Sequence, residues 1–469
     1  MKILKNFIGL AAMALCLGFA SCSSDDDAPS YSNVAVSNSE LMTILKAKGY
    51  QFDENGKMLL DDKANSTTSL DLSGTKVDTA ALKELSVFPN LKALNLSSNG
   101  YGETFDFSVL PAQITGIDLT NNDIYNYDNL VKVTVEENGD ETVENLHNIT
   151  KLYLPKEAKY NIAQLMRFYR QNKSAIDGGT MDVKMQNENG VSEKYNTLRE
   201  IPDETLRKIL KETFSQMFNG EKIDISNYIL DDKQRIATLQ ITDGVSNFEG
   251  IQYVVESPYW NGASIALASS NSETKVPTLN LSTNINSITL SNVSVDGIYL
   301  PNNSKLRYIY MNNVSSLKNV DLSKSVVFGQ RSGQDELDAG SGSGIIVYDC
   351  PSIESIILPN KENLRANYLD IECLPSLKQF DMSKFVELNT LVIGDLPETY
   401  NLVYPNLKEF GDTQFNATMF AISKNAFNTF KDVSDAFIKK YYQANPSYLI
   451  YQSYMSSDNN KAYKWSRYY

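Results

Sequence analysis

Along the first half of the chain, leucine and isoleucine alternate with polar residues in short stretches that recur at nearly constant spacing. Three of these stretches are TTSLDLSGTKV (67–77), LKALNLSSNGY (91–101) and ITGIDLTNNDI (114–124), which begin 24 and 23 residues apart. A fourth, ITKLYLPKEAK (149–159), begins 35 residues after the third, behind an insertion rich in Asp, Glu and Asn. Alternation with a period of two predicts short strands whose apolar side chains point to one side.

The second half carries the same alternation, with two strand-like stretches in each unit. Two stretches open it at 235–254 and 276–284, and three units at 306–325, 342–361 and 366–385 then align without gaps. The longer step between the first two of these units contains a Gly- and Ser-rich segment that predicts a surface loop. Because one such strand cannot bury its apolar side alone, the pattern predicts that the strands stack in parallel.

Amphipathic helices are predicted outside these stretches. NSELMTILKAK (38–48) and DETLRKILKETFSQMF (203–218) each place their apolar residues on one face, and each is followed by an Asn-Gly turn and then a strand. Residues 161–173 look helical, 177–194 look like a polar connector, and 424–446 predict a helix that ends before Pro446.

The stretches of the first half fit the pattern L-x-x-L-x-L-x-x-N-x-L, which resembles the leucine-rich repeat family in motif and period. The helix, Asn-Gly turn and strand resemble the N-terminal cap of secreted bacterial leucine-rich repeat proteins. The resemblance covers about residues 37–411. It implies a β-rich α/β solenoid: two tandem leucine-rich repeat arrays with parallel strands, each with a helical N-terminal cap, plus a C-terminal helical cap.

A structural ladder is expected inside this fold. Asn99 and Asn122 stand where the chain turns inward after a strand, and Thr75 takes that position in the first unit. We expect the two amides to be buried and to bond backbone groups of the neighbouring unit that would otherwise be unsatisfied. Cys350 aligns with an inward position. Cys373 is offset from it by one, which favours free thiols over a disulfide, although secretion would permit one.

The first residues indicate secretion and a lipid anchor. A basic start, MKILKN, precedes a short apolar stretch, FIGLAAMALCLGFA, which is typical of a secretory signal. A small residue before Cys22 resembles a bacterial lipobox, and the acidic run SSDDD that follows resembles the export tag of surface lipoproteins of the Bacteroidetes type. The alternatives are a plain signal cleaved near Ala20 and an acidic run that is only a solvated linker.

These observations together predict how the chain is organised. The expected segments are a signal peptide at 1–21, a lipidated flexible tether at 22–36, a first leucine-rich repeat domain with cap and connector at 37–200, a second with its cap at 201–411, and a helical, aromatic-rich C-terminal cap at 412–469. The expected location is the outer membrane at the cell surface, with membrane contact through the lipid alone.

Charge and histidine content narrow the function. The 469 residues carry a net charge of −14 and no evident basic patch, which argues against nucleic acid as a partner. With His147 as the sole histidine, an enzyme or metal site based on histidine is nearly excluded. The sequence contains no recognisable nucleophile–base set or metal cluster, so we expect no catalysis, no cofactor and no metal.

The polar and aromatic residues between the leucines are the candidate ligand-binding face. In the first half they are Asp71, Asn95, Asp118 and Tyr153, and in the second half Tyr299, Tyr310, Asp321, Asp370 and Asp381. Mixed acids and aromatic rings suit sugar hydroxyls and ring faces, or a basic protein patch. An ordinary wetted sheet surface is the plain alternative.

The expected function is therefore non-catalytic binding or adhesion at the cell surface, with recognition of a protein or host-surface ligand through this strand face. The alternative is a glycan-binding subunit of a polysaccharide-uptake system, whose sign would be a flat cluster of exposed aromatic rings. The Tyr-rich end after Pro446 fits a C-terminal cap or, alternatively, an exposed aromatic binding patch.

Overall fold

The computed structural model of the chain describes residues 29–135, 141–227, 237–242, 244–330, 342–410, 417–442, 452–453 and 461–468. Over these residues the chain is β-rich, most of its sheet pairings are parallel and its helices are few. The coarse prediction of a β-rich α/β fold is thereby confirmed. The predicted signal peptide and Cys22 lie outside the described residues.

The elements of the first half follow one another closely. In chain order they are β1 (Tyr31–Ala35), α1 (Ser39–Ala47), β2 (Lys57–Leu59), α2 (Asp62–Ser66), β3 (Ser69–Asp71), β4 (Ala93–Asn95), β5 (Gly102–Asp106), β6 (Gly116–Asp118), β7 (Asp123–Asp128), β8 (Val131–Val135), β9 (Glu141–Asn145), β10 (Lys151–Leu154), α3 (Leu165–Asp177), β11 (Asp182–Gln186), β12 (Ser192–Lys194) and β13 (Leu198–Arg199). Short 3-10 helices lie at Thr79–Val87, Phe107–Val109 and Lys156–Tyr160.

The second half has longer strands. Its elements are α4 (Glu204–Thr213), β14 (Phe218–Asn219), β15 (Lys222–Asp224), β16 (Thr238–Ile241), α5 (Gln252–Val255), β17 (Ser264–Ala268), β18 (Lys275–Val276), β19 (Leu279–Asn280), β20 (Ser287–Val295), β21 (Ile298–Tyr299), β22 (Tyr308–Ser315), β23 (Asn319–Asp321), β24 (Gly344–Tyr348), β25 (Ser355–Ile357), β26 (Leu364–Glu372), β27 (Gln379–Phe380), β28 (Phe385–Ile393), β29 (Glu409–Phe410), β30 (Ala417–Ser423), α6 (Lys424–Thr429), α7 (Lys431–Tyr442), β31 (Gln452–Ser453) and β32 (Lys461–Tyr468). Two further 3-10 helices lie at Ser215–Met217 and Met382–Lys384.

Both helices predicted to precede the strands are present, and a polar side chain caps each of them. The Asn38 Oδ1 atom accepts the Leu41 N–H at the start of α1, and the Asp203 Oδ1 atom accepts the Leu206 N–H at the start of α4, both at 2.9 Å. Such bonds satisfy amide groups that the first helical turn leaves unpaired. The second carboxylate oxygen of Asp203 accepts the Ser246 N–H at 2.9 Å, which ties α4 to the loop after β16.

Six strands of the described first half form one sheet in the order β12–β11–β10–β6–β4–β3. The strands from β3 to β11 pair in parallel, and β12 is antiparallel to β11. Leu70 lies opposite Leu94, which lies opposite Ile117. The row continues to Leu152, and all four side chains are buried. The parallel stack therefore covers apolar surface that no single strand could bury.

Twelve strands of the described second half share a larger sheet, called the main sheet below. Its path runs β16–β17–β20–β22–β24–β26–β28–β30–β32–β31, with β18 beside β20 and β29 beside β28. Pairing is parallel from β16 to β30 and antiparallel between β30 and β32. β23, β25 and β27 form a separate parallel sheet, the short sheet. Each aligned unit thus contributes one strand to each sheet, in agreement with the two strands per unit that the sequence predicts.

The buried apolar side chains of the described residues form two clusters. One extends from Val36 to Tyr195 and the other lies mainly between Ile201 and Ile438. Ile162 and Met166, near the start of α3, belong to the second cluster although their neighbours in sequence belong to the first. The two halves are therefore joined by apolar contact as well as by the chain.

Three predicted segments differ from the structure. Tyr31–Ala35, assigned to the flexible tether at 22–36, form β1, which pairs with β2, and Ser32 and the following Val36 are buried. The polar connector at 177–194 contains β11 and β12, which extend the six-stranded sheet. The predicted helical cap at 412–469 contains α6 and α7, but β30 and β32 within it continue the main sheet. None of the helices in the described ranges has the length and apolar content needed to cross a bilayer.

Candidate functional site

The four candidate residues of the first half form one row across the six-stranded sheet. Asp71 lies opposite Asn95, Asn95 opposite Asp118, and Asp118 opposite Tyr153. Lys184 of β11 extends the row beside Tyr153. The Tyr153 hydroxyl donates to Asp182 at 2.5 Å and accepts the Lys184 ammonium at 3.2 Å. The sequence pattern therefore brings these side chains together on one face.

The Asp and Asn side chains of this row also form hydrogen bonds that stabilise the turns after their strands. The Oδ1 atoms of Asp71 and Asn95 each accept the backbone N–H of the residue two positions on, at 3.0 Å. Asp118 does the same toward Thr120 at 2.9 Å. In Asp71 this backbone bond, followed by the bond to the Ser73 hydroxyl, lowers the carboxyl pKa. These residues thus stabilise the turn that ends their strand, a role that the sequence interpretation missed although D/N-x-S/T is a turn signal.

The candidate residues of the second half do not share one face, so that expectation is wrong. Tyr310 and Asp370 lie on the main sheet, whereas Asp321 ends a strand of the short sheet and Asp381 directly follows another. Tyr299 lies on β21, which pairs with β19. The error arises because both strands of a unit show the same alternation, which does not reveal the sheet to which each strand belongs. Asp321 and Asp381 again accept the N–H two residues on, at 2.8 and 3.1 Å.

The two asparagines of the predicted ladder are buried, and Thr75 is half-buried; all three side chains bond to backbone. The Asn99 side chain accepts the Lys76 N–H at 2.7 Å and donates to the carbonyls of Leu72 and Leu96 at 3.1 and 2.9 Å. Asn122 accepts the N–H groups of Asn99 and Tyr101 at 3.0 and 3.1 Å. In the first unit the Thr75 hydroxyl donates to the Leu72 carbonyl at 2.8 Å.

Cys350 and Cys373 both carry free thiols. Cys350 is fully buried, and its thiol donates to the Tyr348 carbonyl at 3.2 Å. Cys373 is half-buried. Burial raises the pKa of each thiol to about 12, so both are protonated at neutral pH. Neither thiol is therefore a reactive thiolate, and Cys350 packs within the buried core.

The main sheet carries four tyrosines together on the side opposite the buried isoleucines and leucines: Tyr308, Tyr310, Tyr348 and Tyr368, called here the tyrosine patch. Tyr308 and Tyr368 lie on either side of Gly344, and Tyr310 lies across Ile346 from Asp370. Only Tyr310 was among the candidate residues. In YIYMN (308–312) the spacing of two between Tyr308 and Tyr310 indicated that both point to the same face of the strand. Tyr348 and Tyr368, in contrast, join the patch through strand pairing.

Two contacts fix the geometry of the patch. The Tyr310 and Tyr348 rings meet edge to face, with centroids 5.7 Å apart and planes at 88°, and their hydroxyls are hydrogen-bonded to each other. The Tyr308 ring lies close over Gly344. A Cβ atom added at this glycine would come within 2.9 Å of the ring. All four rings are partly exposed.

Small residues flank the patch along the sheet. On β20, Ser287 and Thr289 lie opposite Tyr308 and Tyr310, and on β28, Thr390 lies opposite Tyr368. Because hydroxyl and methyl side chains are short, the rings stand above their neighbours on both sides. The patch is therefore a ridge that a partner surface can contact.

Asp370 and Glu372 lie beside the ridge on the same face of β26. Burial, followed by the negative charge of Glu372, raises the pKa of Asp370 to about 8, and burial also raises the pKa of Glu372. The Oδ1 atom of Asp370 is buried and has no hydrogen-bond partner within the described residues. The pair therefore retains a proton at neutral pH and presents both a donor and acceptors.

The arrangement offers ring edges, hydroxyls and a partly protonated acid pair. No group of three or more His, Cys, Asp or Glu side chains suited to a metal ion occurs in the described part of the chain. Comparison with family models, with curated proteins and with solved structures found no match to the chain.

Proposed function

We propose that the protein is a non-catalytic binding or adhesion lipoprotein at the outer cell surface, built as two leucine-rich repeat arrays and anchored through a lipid on Cys22. The parallel strands that pair in chain order support the solenoid, as do the bonds of Asn99 and Asn122 to neighbouring strands. The signal-like start and the small residue before Cys22 support the anchor.

The tyrosine patch is the observation that carries the binding role. Tyrosine is enriched where proteins meet, because its ring supplies contact area and its hydroxyl supplies a hydrogen bond. The ridge stands on an extended sheet rather than in a pocket, which suits a macromolecular surface. The proposed ligand is therefore a protein or another component of a host surface.

Ring geometry disfavours the glycan alternative at this patch. Stacking on successive sugars is best served by ring faces that lie in one plane, whereas Tyr310 and Tyr348 are inclined at 88°. Their hydroxyls are also already bonded to each other. The patch lacks the flat aromatic cluster that a polysaccharide-uptake subunit would be expected to display.

Surface plasmon resonance over immobilised fibronectin, laminin and mucin tests the proposal with the full-length protein. We expect binding to at least one of these probes, and Tyr310→Ser combined with Tyr348→Ser should weaken it by about tenfold or more. Tyr31→Ser, at an exposed tyrosine of β1 outside the patch, is the matched control and should bind normally.

The outcomes separate the ligand classes. Periodate treatment of the probe destroys its sugars, so binding that survives treatment supports a protein ligand, and binding that disappears supports the glycan alternative. If none of the three probes binds, or if the double variant binds like the control, the patch is not the interface.

A further inference from the structure

A cleft of about 1300 Å³ lies between the two halves, away from the tyrosine patch, and we refer to it as the interhalf cleft. Its first wall comes from β7 and from residues 161–171 at the start of α3, and its second wall from residues 256–261, 280–284 and 299–302. The volume exceeds the roughly 300–1,000 Å³ typical of sites for single small molecules. The cleft therefore has room for a chain of several linked units.

One end of the cleft is bridged by a tyrosine that the sequence assigned to the strand face. The Tyr299 hydroxyl donates to the Glu103 carboxylate at 2.7 Å, across 196 residues of sequence. The Tyr125 ring lies 6.1 Å from the Tyr299 ring at 51°. Both tyrosines line the cleft, so two aromatic rings are held against its interior at this end.

The other end is bridged by a charged network. Arg170 donates to the Tyr259 hydroxyl at 2.7 Å, and that hydroxyl donates to the Glu141 carboxylate at 3.1 Å. Arg167 also pairs with Glu141. The network connects α3 to the second wall and engages both arginines in contacts within the protein.

The second wall contains a buried acid, and among the described residues none of the interactions that shift its pKa is with a cation. Glu256 is 6% exposed, and its carboxyl accepts the Asn280 N–H at 2.9 Å. Burial raises the pKa of Glu256 well above its usual range. Burial thus favours the protonated form of this carboxyl, which can donate one hydrogen bond and accept others.

Amides supply much of the remaining polar lining. They include Asn126, Gln164, Asn261, Asn280, Asn284 and Asn302. An amide side chain both donates and accepts, which matches a hydroxyl group, and tyrosine rings match the apolar faces of sugar rings. The acids Glu103, Asp128, Glu141 and Glu256 outnumber the cations Arg167, Arg170 and Lys324 in the lining, which does not favour an anion.

We infer that the interhalf cleft binds a neutral oligosaccharide through tyrosine rings, side-chain amides and the Glu256 carboxyl. The inference does not depend on the proposed protein-binding role of the tyrosine patch, because no residue is common to the two surfaces. Sugars enter between the walls that Glu103–Tyr299 and Arg170–Tyr259 hold together.

Isothermal titration calorimetry of the full-length protein tests the inference. The probes are neutral tri- to hexasaccharides of the cello-, xylo-, manno- and malto- series, with a pool of neutral hexapeptides as the competing ligand class. We expect at least one sugar series to bind, with affinity that rises with chain length. Tyr125→Ala should weaken that binding by about tenfold or more.

Asn284→Ala is a second variant whose fold is secure, because the Asn284 side chain is partly exposed and lines the cleft. It should also weaken sugar binding, whereas Tyr310→Ser on the patch should leave it unchanged. The inference is overturned if no sugar series binds, if the peptide pool binds instead, or if both cleft variants bind like wild type. Loss of probe binding in the patch double variant, with sugar affinity intact, would separate the two sites.

Discussion

The side-chain oxygen of Asn122 accepts the backbone N–H of Asn99 at 3.0 Å, although the two residues are 23 positions apart. The amide nitrogen of Asn122 donates to the carbonyls of Leu96 and Leu119 at 3.1 and 2.9 Å. Both asparagines are nearly inaccessible to solvent. One side chain thus satisfies backbone groups of its own turn and of the preceding one, which couples two neighbouring strands.

Replacement of Asn122 by alanine is expected to lower the free energy of unfolding by about 1–3 kcal/mol, because buried backbone groups lose their partners. Urea denaturation followed by circular dichroism measures this difference. Asn148→Ala, at an exposed asparagine, is the control and should be nearly neutral. Superposable curves for the two variants would contradict the coupling between strands.

The contribution of Asp381 to its turn can be tested directly. Its Oδ1 atom accepts both the N–H and the hydroxyl of Ser383, at 3.1 and 2.5 Å, at the start of a short helix. We expect Asp381→Ala to cost about 1 kcal/mol, as loss of a cap does, and Asp381→Asn to cost less because an acceptor oxygen remains. Thermal melts measure both. Equal losses would mean that charge, not turn geometry, determines the effect.

The strands and their buried rows could be predicted from the sequence because a period of two leaves little choice about which side chains point inward. Leu70, Leu94 and Ile117 illustrate this. The turn role of Asp71 or Asp381 was within reach of the sequence, since each precedes a serine by two positions. It was missed because the same residues also fit an outward binding column.

The tyrosine patch and the interhalf cleft could not be predicted from the sequence, for a different reason. Tyr308 and Tyr368 meet across Gly344 only through the register in which β22, β24 and β26 pair. Tyr299 reaches Glu103 only because the two halves face each other. Such contacts depend on strand pairing and on the packing of Ile162 and Met166 into the second core, neither of which local periodicity specifies.

Asp370 is expected to make stability fall as pH rises. Its pKa is raised to about 8 from an ordinary value of 3.8, so between these values the folded protein retains a proton that the unfolded chain has lost. The proton favours folding at low pH, and this advantage disappears as pH rises through the folded-state pKa.

Asp370→Asn should therefore raise the melting temperature above about pH 8 and change it little near pH 4, because the amide stays neutral throughout. Melting curves recorded between these limits provide the measurement, with the low-pH value as internal control. The melting temperature of the variant is still expected to fall slightly with pH, because the pKa of Glu372 is also raised. Parallel curves for wild type and variant would refute the buried protonated acid.

Replacement of Cys22 by alanine is expected to release the protein from the cell envelope, since the thiol is the proposed site of the lipid. Fractionation of cells that express each form, followed by a salt wash and immunoblotting, shows where the chain resides. Cys373→Ala is the matched control and should remain in the envelope. A Cys22→Ala variant that stays with the membrane after the wash would exclude the lipid as the anchor.

Gly344→Ala should alter the tyrosine patch without unfolding the main sheet. An added Cβ would approach the Tyr308 Cδ2 and Cε2 atoms at 2.9 and 3.0 Å, so the ring must swing away, and the clash is with a movable side chain and not with backbone. Probe binding at the patch should weaken while the melting temperature changes little. Gly102→Ala, where an added Cβ meets nothing within 4 Å, is the control and should affect neither quantity. If Gly344→Ala binds the probe as tightly as Gly102→Ala does, the position of the Tyr308 ring is irrelevant to the ligand, and the contact must rest on Tyr310, Tyr348 and Tyr368 alone.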